Sequence, residues 1–257
     1  MDDAQLLRYS RHILLDEFGP DAQQKFAAAN VLIVGMGGLG TPAAQFLAAA
    51  GVGTITICDA DHVDLTNLQR QILYATADIG ARKVDAAAQR LSAINPDVRI
   101  ERIPARVGPD TLAPLVAAAD VVLDGCDNFA TRHAVNRACV AAGKPLVSGA
   151  AIRFDGQIAV FDVADTASPC YACLFPPDLQ FEETRCAVMG VFAPMVGIIG
   201  AMQAAEALKL LTGAGQSMAG RMLMLDGRGM EWNEMQVPRQ PQCPVCSGRS
   251  TAPGARG

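Results

Sequence analysis

The stretch Val31–Gly40, VLIVGMGGLG, decides how the rest of the chain is read. Four apolar residues, Val31–Val34, read as a buried strand. Gly35, Gly37 and Gly40 then spell G-x-G-x-x-G, and Thr41–Ala50 continues as a helix. So tight a turn needs residues without a Cβ, and a side chain there would hold a phosphate away. The helix start offers unpaired N–H groups and a positive dipole end to that phosphate. A second strand, Thr54–Cys58, ends at Asp59, whose carboxylate suits a ribose hydroxyl. Strand, glycine turn, helix and acid in that order predict nucleotide binding, against the plainer alternative of a glycine turn between packed elements. The motif does not specify the nucleotide.

Beyond Asp59 the run ADHVDLTNLQRQ crowds Asp61, Asp64, Asn67, Arg70 and Gln71 at the carboxyl end of that strand. Open α/β sheets bind ligands at this edge. The forked guanidinium of Arg70 suits a phosphate, and a surface salt bridge is the other reading that spacing allows. Gly80–Ile94 reads as a helix stopped at Asn95-Pro96. Lys83, in its first turn, opposes the helix dipole unless an anion lies close. Asp120–Asp127, in ADVVLDGCD, reads as another buried strand ending in acids. A carboxylate at Asp127 would repel a triphosphate unless a divalent cation bridges them, and magnesium is the expected bridge. Asp127 could instead cap the helix Phe129–Ala142, a task equally open to Asn128. Pro145–Ser148 is a further strand, and Gly156–Phe161 an antiparallel one. Together these elements predict an α/β, Rossmann-like, doubly wound and mostly parallel sheet with an antiparallel extension.

The remaining features are bounds and staples. Asp2–Phe18 reads as one or two short helices on which Arg8 and Arg11 share a face, a solvated surface by spacing alone. Gln24–Asn30 leads into the first strand. A net charge of -5 argues against a nucleic-acid binder, and the acidic, polar start does not look like a secretory signal. Ala187–Ala205 is uncharged for nineteen residues, long enough to span a membrane. Its Gly190, Pro194, Gly197, Gly200 and Gln203 favour a loop leading into a buried helix over Ala193–Leu211, so no membrane partner is expected. Of the eight cysteines, Cys170-x-x-Cys173 and Cys243-x-x-Cys246 make a four-thiolate set. Four sulfurs close a tetrahedral zinc site, which is structural rather than catalytic. The first pair lies in the long irregular piece Asp162–Val191, and long loops of this kind tend to be functional. Strands Arg221–Asp226 and Met230–Val237 lead to the second pair, and residues 247–257 read as a disordered tail.

Taken together these stretches resemble the MoeB/ThiF family, single-lobe relatives of the ubiquitin-activating enzymes. The likeness runs from RYSRHILL at Arg8 to CPVC ending at Cys246. It includes GMGGLG, DADHVDLTNLQRQ, Lys83, LDGCDNFATR, CYACLF, GVFAP and IGAMQAAEALKLL. The resemblance implies one adenylating domain over 1–246, with a nucleotide-binding part at about 28–150 and a carrier-binding and zinc part at about 151–246. It implies ATP rather than NAD. The activity would be adenylation of the C-terminal Gly-Gly carboxylate of a small ubiquitin-fold sulfur carrier, with release of pyrophosphate. A separate sulfurtransferase would then make the thiocarboxylate, in the cytoplasm.

By the same resemblance Gly35, Gly37, Gly38 and Gly40 line the nucleotide and Asp59 holds the ribose. Asn67, Arg70 and Lys83 contact phosphates, with Asp61, Gln71 and Asn128 beside them, and Asp127 is the magnesium residue. Arg11 would reach into the partner subunit's site, which implies a homodimer. Cys186 matches a position that forms a persulfide or acyl-disulfide in the ThiF branch and is not required in the MoeB branch. One departure stands out. The family pattern DCTDN is here Asp124-Gly-Cys-Asp-Asn128, which moves the thiol to Cys126 and leaves Asp127 in place. VSGAAIRFDGQI looks like the molybdopterin branch, whereas RYSRHILLDE and GTPAAQFLA look like the thiamine branch. A MoaD-like carrier is the favoured substrate and a ThiS-like carrier the alternative. An NAD-dependent oxidoreductase, a non-catalytic nucleotide-binding scaffold and an enzyme activating a peptide C-terminus are the rival classes.

Overall fold

The computed structural model describes residues 1–178 and 189–249. Its eight strands are Asn30–Val34 (β1), Thr54–Cys58 (β2), Arg99–Ile103 (β3), Val121–Asp124 (β4), Leu146–Ile152 (β5), Asp155–Phe161 (β6), Arg221–Asp226 (β7) and Glu231–Gln236 (β8). They form one sheet in the order β3-β2-β1-β4-β5-β6-β7-β8. Pairings from β3 through β5 are parallel, and those from β5 through β8 are antiparallel. The expected doubly wound sheet with an antiparallel extension is the one observed.

Alternation along β1 builds two cores. Val31 and Ile33 pack with Ala43 and Leu47 of Gly40–Ala49 (α4), with Val84 and Leu91 of Lys83–Ile94 (α5), and with Ile199 and Ala204 of the helix Ala193–Thr212. Leu32 and Val34 point the other way, onto Leu112 and Val116 of Pro109–Ala118 (α6) and Val135 and Cys139 of Phe129–Ala142 (α7). A strand covered on both faces must be apolar throughout, which is why VLIV is legible. Burying each of these side chains contributes about 2 kcal/mol. The twenty-residue helix Ala193–Thr212 passes a length and composition test for a membrane span. Here Met195, Ile199, Ala204 and Ala207 lie in the core against the sheet, as expected of a buried helix.

Several boundaries differ from the sequence expectation. Gln24–Asn30 is not merely a lead-in, because Gly19–Ala28 is a helix. It has Pro20 near its start and buries Ala22 and Phe26, four residues apart on one face. Ahead of it lie the short helices Asp3–Arg8 and Ser10–Ile13. α5 starts at Lys83 rather than Gly80, since Arg82 is extended. β5 runs on to Ile152, paired with β6 across a turn in which Arg153 has φ 51. A short helix, Tyr171–Leu174, interrupts the irregular piece. Ser247–Arg249 are also held: Ser247 N–H donates to Cys243 O at 3.1 Å and Arg249 Nη1 to Val163 O at 2.7 Å. The expected disordered tail is therefore corrected at its start, and its residues 250–257 lie outside the described residues.

Candidate active site and metal centre

The β1–α4 turn is packed against the turn after β4. Gly35 has φ +97, and a Cβ there would stand 2.8 Å from Gly125 O. A Cβ on Gly40 would stand 1.9 Å from Gly35 O. Both positions therefore exclude any side chain. A Cβ on Gly37 would meet only Gln71 Nε2, at 3.7 Å, so that face of the turn is open to a ligand. Asp59 braces the turn from the end of β2: Oδ2 accepts from Met36 N–H and Oδ1 from Asp61 N–H, both at 2.8 Å. Each carboxylate oxygen keeps a second lone pair for a further donor.

A cleft of about 910 Å³ opens at this edge, where strand order reverses between β1 and β4. Gly35, Gly37, Gly38, Asp59, Asp61, Asn67, Arg70, Gln71, Lys83, Asp127 and Asn128 all line it. The fold thus gathers into one cavity residues spread over nearly a hundred positions. Lys83 is buried and Nζ donates to Asp61 Oδ2 at 3.1 Å, so the anion its position in the first turn of α5 demanded is present. Arg70 Nη1 donates to Thr66 O at 3.0 Å, and Arg70 makes no salt bridge among the described residues. Buried Gln71 leaves Oε1 without a partner among those residues. Asn128 Oδ1 accepts from Thr131 N–H at 2.9 Å and so takes the cap of α7. That releases Asp127, which is exposed and is approached by Asn128 Nδ2 at 3.3 Å. Gly40 shapes the turn without lining the cleft. Arg11 is exposed on Ser10–Ile13 and does not line the cleft of its own chain. Cys186 lies outside the described residues.

Beneath Asp127 is a buried polar network that sequence reasoning missed. Asp124 Oδ1 accepts from Cys126 N–H and Oδ2 from Ser148 Oγ, both at 2.9 Å. Arg132 Nη2 donates to Cys126 O at 2.6 Å and Gly149 O at 2.9 Å, while Nη1 lies 3.9 Å from Asp124 Oδ2. Burial alone would lower the pKa of Arg132, but the Asp124 carboxylate outweighs it and holds the guanidinium charged. Gln203 Nε2 closes the set onto Asp124 O at 2.8 Å and Val147 O at 3.1 Å. Hydrogen bonds to both Asp124 oxygens and from Arg132 Nη2 offset the cost of burying the pair. Arg132 falls within the motif LDGCDNFATR, but no spacing rule links it to Asp124 or Gly149. The displaced thiol of Cys126 sits in the joint, with Sγ donating to Val34 O at 3.4 Å. Burial and then Asp124 push that thiol well above its ordinary pKa, and Cys58 is raised to about 12 by burial first and Asp59 second. Neither is a nucleophile at neutral pH.

Cys170, Cys173, Cys243 and Cys246 meet as expected. All four are buried, and their sulfurs lie within 4.8 Å of one another. Cys170 Sγ is 3.7 Å from Cys243 Sγ, and Cys173 Sγ is 3.5 Å from Cys246 Sγ. These separations are too long for disulfides. A tetrahedral zinc with Zn–S bonds of about 2.3 Å holds its sulfurs roughly 3.8 Å apart, so the donor set fits zinc. Asn136 Nδ2 reaches Cys170 Sγ at 3.6 Å, and Gln240 N–H donates to Cys173 Sγ at 3.4 Å. Hydrogen bonding from the Cys170 thiol, followed by the amides of Gln240 and Cys170, outweighs burial and lowers the Cys173 thiol, while hydrogen bonding to Cys173 and burial raise Cys170.

A glycine turn braced by an acid, buried and half-buried cations and an exposed carboxylate around one cleft define an α/β fold of the nucleotide-using type, with a four-cysteine cluster that could hold zinc. The chain belongs to the ThiF family, whose family model matches residues 9–245. It is 46% identical over 253 residues to the sulfur carrier protein ThiS adenylyltransferase of Escherichia coli, spanning 98% of this chain and 100% of that protein. It is likewise 46% identical over 248 residues to the molybdopterin-synthase adenylyltransferase of Escherichia coli, spanning 96% and 98%. Both relatives bear the activity class that the resemblance implied. A crystal structure of E. coli MccB with ATP shares the fold, with a TM-score of 0.80 at 24% identity over 93% of this chain and 73% of that one.

Proposed function

We propose that this protein adenylates the C-terminal Gly-Gly carboxylate of a small ubiquitin-fold sulfur carrier, with a MoaD-like carrier as the first candidate. The observation that carries the reading is the single cleft joining the glycine turn, Lys83, Arg70 and Asp127 at the strand-order reversal. ATP lies along the glycine turn, with its ribose at Asp59 and its phosphates toward Asn67, Arg70 and Lys83. The carrier carboxylate, already ionised at pH 7, attacks the α-phosphorus. A C–O–P linkage forms, the bond to the β-phosphate oxygen breaks, and pyrophosphate leaves. No general base is required. The chain's contribution is positioning and neutralisation of charge. Asp127 is the residue that would hold magnesium, a hard cation that takes oxygen donors and would neutralise charge on the phosphates. Its freedom from the capping role supports that assignment.

The ThiS-like alternative has an observation of its own, the 46% identity to a ThiS adenylyltransferase over the whole of that protein. The reading extends to a cytoplasmic homodimer in which Arg11 completes the partner's site, and to a separate sulfurtransferase as consumer of the acyl-adenylate. Cys186 is assigned to sulfur transfer only if the ThiS-like carrier is the substrate. ATP–pyrophosphate exchange with purified protein, with and without a MoaD-type and a ThiS-type carrier, tests the adenylation step and the choice of carrier, with Asp127→Ala as control. Exchange that requires one carrier and disappears in the control is expected. ATP binding without exchange for either carrier would move the protein to another acid substrate or to a scaffold.

A further inference from the structure

Tyr171 lies between Cys170 and Cys173 in sequence, yet it lines the cleft in space. It is 1% exposed. Phe175, at 4.9 Å between ring centroids, His133, at 5.3 Å, and Phe161, at 6.0 Å, hold its ring. Its backbone N–H donates to Asn136 Oδ1 at 2.9 Å. The side chain is thus fixed along its length, but its hydroxyl has no hydrogen-bond partner among the described residues. Arg132 and Asp124 are the charged groups nearest it; Arg132, whose Nη2 donates to Cys126 O and Gly149 O, can act on the hydroxyl only as a donor to its oxygen, so the O–H proton itself still lacks an acceptor among the described residues. A buried hydroxyl left unpaired is a cost that phenylalanine at the same place would remove. A donor held in place at a cleft and left unsatisfied by the protein fits an acceptor that arrives with the ligand.

The cleft is lined by the glycine turn after β1 and, further along the strand order, by Ala150 on β5, Gln157 on β6 and Asp226 on β7. Tyr171 belongs to its middle, because its neighbour Phe175 packs on Phe129, next to Asp127 and Asn128. In the adenylation reading, on which this inference rests, the acyl carboxylate must lie there, between nucleotide and carrier body. We propose that the Tyr171 hydroxyl donates a hydrogen bond to the oxygen of that carboxylate which does not attack phosphorus. The bond fixes the plane of the carboxylate, so that a lone pair of the other oxygen faces the α-phosphorus. The phenol keeps its proton throughout. In the acyl-adenylate the same oxygen is the carbonyl, and it accepts the same bond.

Tyr171→Phe tests this by removing one oxygen and leaving the ring. Exchange kinetics are measured for wild type and variant with a MoaD-type and a ThiS-type carrier, together with zinc content and melting temperature. The expected result is about a tenfold fall in kcat/KM for the carrier, with the KM for ATP and the zinc content unchanged. The melting temperature should equal or exceed that of wild type, because an unpaired buried hydroxyl has gone. Activity and stability then move apart, which a structural residue would not produce. A carrier kcat/KM within about twofold of wild type overturns the inference, as does a melting temperature that falls along with activity. Wild type that exchanges while the variant matches it fails this inference alone. Wild type that exchanges with neither carrier fails the adenylation reading and takes this inference with it.

Discussion

Val31–Val34 of β1 are buried on both faces of the sheet, whereas all six residues of β8, at the far edge of the same sheet, are exposed. The parallel half is sandwiched between helices and places backbone atoms so closely that Gly35 and Gly40 admit no side chain. The antiparallel edge at β8, with Trp232 at 43% exposure, lacks that cover. Beside it four thiols bring the knuckle at Tyr171–Leu174 against the segment after β8, in a set that could hold zinc. Chemistry that needs sub-ångström placement sits where packing already supplies it. Zinc held by those thiols would order this edge through a small number of strong ligand bonds.

This contrast can be broken at several points. The largest expected effect is at Gly40→Ala, where the new Cβ would overlap Gly35 O. No folded protein should be recovered, as judged by circular dichroism and size-exclusion chromatography of the soluble fraction. Asp127→Ala comes next. Carrier-dependent exchange should fall by a factor on the order of 10³ with the melting temperature unchanged, since the side chain is exposed and caps nothing. A loss of stability there would contradict the division of labour between Asp127 and Asn128.

Cys243→Ser should release zinc and lower the melting temperature by about 10 °C. Measured by calorimetry against ATP titration, carrier affinity should suffer more than ATP affinity. Equal losses would erase the distinction between the halves. The smallest effect is that of pH. His12 packs edge-on to Phe18 and Phe26, and burial lowers its pKa below the ordinary 6.5. The unfolded chain therefore binds that proton more readily, so the contribution is complete above pH 6.5 and shrinks as pH falls below it. Melting curves between about pH 7.5 and 5.5 should decline on the acid side. They should decline less steeply for His12→Gln.

Local patterns made much of this legible. The glycine turn, Asp59 and the acids after β4 carry their chemistry in spacing and strand ends, and the cleft gathers them. The two C-x-x-C pairs announce a metal site because ligand type and number suffice. What stayed hidden depends on contacts between distant segments. Gln203 bonds Asp124 O from 79 positions away, and Asn136 meets Cys170 across 34. Neither residue has a local signature. Tyr171 was hidden for a different reason: between two zinc-type cysteines it looks like spacer, and only the unpaired hydroxyl singles it out. The helix Gly19–Ala28 escaped because its apolar face is just Ala22 and Phe26, too sparse to register as a period.

The most direct measurement is the intact mass of each carrier after incubation with the enzyme, ATP and magnesium. The account predicts a carrier heavier by one adenylate, formed on the C-terminal glycine with one pyrophosphate released, and absent with Asp127→Ala. Carriers of unchanged mass, in the presence of an enzyme that demonstrably binds ATP, would contradict it.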